Sequence, residues 1–172
     1  MSALRLLKKQ ELSSSVSKLI VTDCFSTEFN SYKVIFRDFR TASTSAENLY
    51  IQYVNSSGSL ITTGSYNHAN RYIQSSSGKT DFKATNVTSM LVGPADQEPE
   101  SSGIILNIFN PMKDTAFTNH VNHSVQSGTG QGITFMGVGG IESVIPVSGI
   151  AIYPASGNID KGTVLVYGYR ES

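Results

Sequence analysis

An all-β chain, an antiparallel β-sandwich or jelly roll of roughly nine to ten strands, is what this sequence predicts, and three observations predict it. Short β-prone runs recur at intervals of about 8–15 residues, each stopped by Gly, Pro, Asn or Asp, with no helical period between them. The composition holds 25 serines, 14 threonines and 15 glycines among 172 residues. Only 15% is charged, against a usual ~25%, so hydroxyls and amides must carry the polar surface. Near the end, the pairs Gly157-Asn158 and Lys161-Gly162 make turns into Thr163–Tyr169. There Val164 and Val166 share one face, and Leu165, Tyr167 and Tyr169 share the other.

Taken in order, residues 1–12 set Arg5, Lys8 and Lys9 against Glu11, with Leu4, Leu6, Leu7 and Leu12 interspersed. They read as an N-terminal arm before a single sandwich domain of residues 13–172. The arm is either a docking extension, centred on Arg5, Leu6, Leu7, Lys8 and Lys9, or a frayed end or short helix over the sandwich. Strands follow at Ser15–Val21, Tyr32–Phe39 and Leu49–Val54, with Phe25 and Phe29 plugging a loop into the core. Asn55-Ser-Ser-Gly58 is a turn, and the polar stretch from Ser59 to Tyr72 is anchored by Tyr66 and Tyr72. After the turn at Ser75–Lys79, one strand is expected around Val87 to Leu91, and Pro94 to Gly103 is a surface loop. Ile104–Phe109, Thr118–Val125, Ile133–Val138 stopped by Gly139-Gly140, Val147–Tyr153 and Thr163–Tyr169 complete the set.

Several classes of function find no support. Formal net charge is zero and the pI is about 6.8, so no global field draws the chain to nucleic acid or an anionic membrane. No run is long and apolar enough for membrane insertion, and no signal-peptide stretch opens the chain, so synthesis and folding in a cytosol are expected. Cys24 is the sole cysteine. It cannot form an intrachain disulfide or a cysteine zinc site, and reads as a small core hydrophobe. Sequons at Asn55, Asn86 and Asn122 read as accidents of an Asn- and Ser-rich chain.

No catalytic, cofactor or metal set emerges. Ser77-Gly78-Lys79-Thr80 ends like a phosphate-binding loop, but Ile73 stands where that loop needs glycine. His120 and His123 lie three apart on a strand, hence on opposite faces. No G-x-S-x-G elbow is present, and Glu98 and Glu100 share a Pro-rich loop that orients neither. What remains is recognition. Tyr66, Asn67, His68, Arg71 and Tyr72, with the flexible loop at Gly128, Gly130 and Gln131, offer rings, amides and a guanidinium. Such groups suit either a protein interface or a glycan.

The order of pieces resembles a β-sandwich domain of structural proteins of tailed bacteriophages, especially marine and cyanobacterial ones. The residues that carry the resemblance are Leu12–Val16 leading to Asp23-Cys-Phe25, Tyr32–Phe36, Leu49–Ile51, Ser148–Pro154, Asn158-Ile159 and Lys161–Gly168. It covers nearly the whole chain from about residue 12, and its motifs are fold signatures without a catalytic residue. It implies a virion structural protein, assembled in the host cytoplasm, that forms a homotrimer and meets other virion proteins on the capsid or tail. Fibre proteins of that kind carry a long shaft before the sandwich. About a dozen residues stand there in this chain, so a capsid decoration protein or compact tail appendage is the expectation. A module binding a host-surface glycan is the alternative.

Overall fold

The computed structural model describes residues 4–95, 100–128 and 131–170. Among these the chain has no helix and twelve strands: β1 (Leu4–Glu11), β2 (Leu19–Val21), β3 (Ser31–Thr41), β4 (Glu47–Asn55), β5 (Tyr66–Gln74), β6 (Gly78–Val87), β7 (Met90–Ala95), β8 (Ser101–Phe109), β9 (Asn119–Gly128), β10 (Gln131–Ile141), β11 (Val147–Pro154) and β12 (Ile159–Tyr169). Eight form one sheet in the order β1-β12-β3-β8-β9-β10-β5-β6, and four form a second in the order β2-β11-β4-β7. Every pairing is antiparallel. The fold is the all-β, two-sheet arrangement that the sequence predicts.

Period-two alternation builds the core. Tyr32, Val34 and Phe36 on β3, Ile104, Leu106 and Ile108 on β8, and Val164 and Val166 on β12 point inward. They meet Leu49, Ile51 and Tyr53 of β4, and Ile150 and Ile152 of β11. Each such side chain, fully buried, stabilises the fold by roughly 1.5–3 kcal/mol. Phe25 and Phe29 are buried beside Tyr32, with ring centroids at 4.8 and 5.8 Å. Tyr32 Oη accepts the Ser26 N–H and donates to the Ser26 carbonyl, fixing that loop.

The small sheet is narrower, so both its edge strands lie over the larger one. A strand edge carries unpaired backbone groups that need partners. Side chains of the large sheet supply them. Lys8 Nζ donates to the Thr22 carbonyl at 2.6 Å and Gln10 Nε2 to the Ile20 carbonyl at 3.3 Å, on the β2 side. Asn70 Nδ2 donates to the Leu91 carbonyl at 3.1 Å and Asn122 Nδ2 to the Val92 carbonyl at 3.4 Å, on the β7 side.

Several sequence expectations are corrected. Residues 4–11 are not a projecting arm: they pair with β12 as the outermost strand of the large sheet. Of the run at Ser15–Val21 only Leu19–Val21 is strand, with Val16 in a lone bridge to Ile159. The polar stretch before Gln74 contains β5, and its partner β6 ends where one strand was expected to run through Val87 to Leu91. These two look unlike strands because their hairpin reaches beyond the small sheet, and β6 is exposed along most of its length. Gly139-Gly140 does not stop β10, which runs on to Ile141. Pro94 belongs to β7, an edge strand, where its missing N–H costs no ladder bond. The acids expected in the following loop divide: Glu98 lies outside the described residues and Glu100 just precedes β8.

Candidate functional site

On β9 the usual alternation is reversed. His120, Asn122, Ser124 and Gln126 point into the protein and are buried, whereas Val121 and Val125 point to solvent. Two conditions inside account for the polar row. The amides reach toward the open edge of β7, and β10 leaves space for them. A side chain at Gly137 would collide with the Asn70 amide and the Ala69 carbonyl, and one at Gly139 would lie 2.7 Å from His120 Cε1 and 2.8 Å from Met90 Sδ. His120 Nδ1 sits 3.0 Å from Tyr53 Oη. Burial, and then the neighbouring His68, push the His120 pKa down to about 3, so the ring is neutral.

The polar inner row leaves β9 and its neighbours an apolar outer face. Register places Leu6, Tyr167, Lys33, Asn107, Val121, Val138, Ala69 and Lys83 in one row across the large sheet. The adjacent row runs Lys9, Leu165, Ile35, Ile105, His123, Met136, Arg71 and Asp81. Leu4, Leu6, Ile73, Phe109, Val121, Val125, Met136 and Val138 each keep between 39% and 52% of their surface open. They fall in two groups: Leu4 and Leu6 at the β1 edge, and Phe109, Val121, Val125, Met136, Val138 and Ile73 over β8, β9, β10 and β5. Over β9, β10 and β5 the face sinks into a groove of about 700 Å3 lined by Phe109, Phe117, Val121 and Val138, with Lys83 and Glu142 among its polar members.

The residues singled out in the sequence do not assemble as one platform. Tyr66, His68 and Tyr72 face inward on β5, and Asn67 and Arg71 face outward, because strand neighbours alternate. Tyr66 is fully buried, its Oη accepting the Tyr53 N–H and donating to the Ile61 carbonyl. Arg71 makes a bidentate pair with Asp81 on the next strand, at 2.7 and 3.0 Å. Tyr72 joins Phe82 and Phe135 in an aromatic cluster on the inner side of the overhanging hairpin, its hydroxyl bonded to Gln74. Gly128 and Gln131 pair at the base of the β9–β10 hairpin, and Gly130 lies outside the described residues.

In the N-terminal strand the charges are engaged within the chain. Arg5 pairs with Glu28 at 2.9 Å, Lys9 with Glu11, and Lys8 with the Thr22 carbonyl. Leu7 packs against the core while Leu6 stands exposed. Cys24 is buried near the Val21 carbonyl, and burial pushes its thiol up to about 12. His123 is exposed and bonds Thr134 at 2.9 Å, on the face opposite His120. Sequence reasoning missed the outer-face valines and Met136. The alternation on β9 was visible, but a single strand does not say which of its faces is inside.

No protein family matches the chain, and no curated protein does. Among solved structures it aligns with the infectious bursal disease virus VP2 subviral particle at 10% identity and a TM-score of 0.17. That alignment spans all of this chain and 42% of that one. A TM-score so low carries no argument about fold or function.

Proposed function

We propose that this chain is a non-enzymatic structural protein that self-associates through the outer face of its large sheet and, so assembled, docks on the capsid or tail of a tailed bacteriophage. The observation that carries self-association is the reversal on β9, which spends a buried row on polar side chains and turns valines to solvent. A sandwich built to remain alone does the opposite. Phe109, Val121, Val125, Met136, Val138 and Ile73 turn apolar side chains to solvent over β8, β9, β10 and β5, and association would remove them from water at roughly 25 cal/mol per Å2. The phage setting and the homotrimer rest on the resemblance carried by the motifs between about residues 12 and 168.

Sedimentation of the purified chain tests self-association. The expected result is an oligomer whose mass falls to that of one chain in Val138→Asp, with the circular dichroism unchanged. A wild-type chain that stays monomeric at high concentration would remove the reading. Electron microscopy of virions with and without the gene tests the setting, by density on the capsid or tail that disappears with the gene.

A further inference from the structure

The outer face has a ridge at one side and a hollow toward the other. On the β1 side, Leu4 stands beside Tyr169 and Leu6 beside Tyr167, and both leucines are about half exposed. Toward the opposite side lies the 700 Å3 groove lined by Phe109, Phe117, Val121 and Val138. Gly140 brings no side chain to its floor, whereas Gly139 faces inward beside His120 and Met90.

The exposed lining of the groove is mainly apolar. Two of its amides already serve the chain itself: Asn67 Oδ1 accepts the Asn86 N–H at 3.0 Å, and Asn119 Nδ2 donates to the Phe117 carbonyl at 3.3 Å. A ridge of leucines and tyrosine rings needs only apolar walls and room for several side chains, which this groove offers.

We infer that Leu4 and Leu6 of one copy, with the Tyr167 ring beside them, pack into the groove of the next copy. The inference rests on the self-association proposed above and names its contact. Sheet twist favours a head-to-tail arrangement. From β12 to β10 the order takes the steps β12-β3-β8-β9-β10. At the usual ~20–25° per step the ridge and groove look about 80–100° apart. Two copies stacked flat engage one patch well and leave the other open. A copy placed between two neighbours engages both, and such a contact closes into a ring when the rotation permits.

Single-cysteine variants test the contact. Cys24 is buried, so an introduced surface thiol is the reactive one. Leu6→Cys and Val138→Cys are prepared separately, co-refolded and mildly oxidised, and the peptides are read by mass spectrometry. The expected product is an intermolecular 6–138 disulfide in the mixture, absent from either variant alone. A second arm uses Leu6→Asp and Val138→Asp. Each alone should sediment as a monomer, and the mixture should double that mass, because each variant keeps the half the other has lost. A mixture that remains oligomeric without the 6–138 bond, or Leu6→Cys bonding to itself, would overturn this contact and leave self-association standing. A monomeric wild type would remove both.

Discussion

His120 is the group through which acid should loosen this fold. Its ring lies buried on β9, with Nδ1 held by Tyr53 Oη and, among the described residues, no partner for Nε2. Desolvation, and then the nearby His68, hold its pKa at about 3 instead of 6.5. Below pH 6.5 the unfolded chain therefore binds a proton that the native protein refuses. Stability falls as pH drops, and the fall ends only near pH 3. From about pH 7.5 to about pH 5 this one group should remove about 2 kcal/mol, and over the whole window roughly 5 kcal/mol at ~1.4 kcal/mol per pH unit. His68, whose pKa burial also lowers, adds in the same direction. Urea unfolding followed by circular dichroism across this range measures the slope. His120→Asn keeps an amide near Tyr53 Oη and removes the titration. It should cost stability at neutral pH yet lose about 2 kcal/mol less than wild type on going to pH 5. If His120→Asn keeps the full wild-type acid dependence, the buried neutral imidazole is not its source.

Three further outcomes follow from the packing. Tyr66→Phe strips the Tyr53 N–H and the Ile61 carbonyl of their buried partner, and should lower unfolding free energy by about 1–3 kcal/mol in denaturant titrations; a change under ~0.5 kcal/mol would mean water replaces the hydroxyl. Gly137→Ala drives a methyl into the Asn70 amide and the Ala69 carbonyl, and should cost more than ~3 kcal/mol, while Gly132→Ala, with nothing within 4 Å, should leave the melting temperature nearly unchanged. Cys24, buried and with its thiol at about 12, should react with a thiol reagent only as fast as the protein opens. Rapid stoichiometric labelling in native buffer would contradict its placement.

The parts of the fold legible in the sequence are those where a strand has one apolar face and that face is the buried one. Tyr32–Phe36, Leu49–Tyr53 and Thr163–Tyr169 obey this rule, and alternation alone places their side chains. β1, β5 and β6 escape it for a different physical reason in each case. β1 sets Leu4 and Leu6 outward and sends Lys8 and Gln10 inward to the β2 backbone, so its charges resemble those of a free arm. β5 and β6 carry polar residues on both faces because their hairpin outruns the sheet that would cover it.

The candidate site was hidden for a related reason. Solvent-facing valines and buried amides on β9 give the same period as an ordinary strand, with the opposite sense. Only the neighbours decide between the two senses. The glycines at 137 and 139 make room for Asn70 and His120, and the open edge of β7 gives Asn70 and Asn122 carbonyls to bind. Once those amides are fixed inside, the period of two forces Val121 and Val125 outward, and β10 follows with Met136 and Val138. Closing the edge of the small sheet thus creates the apolar face of the large one. Replacing Asn122 by an apolar residue would leave the Val92 carbonyl without its amide, so the inner row and the outer face are bound to the same choice of side chains.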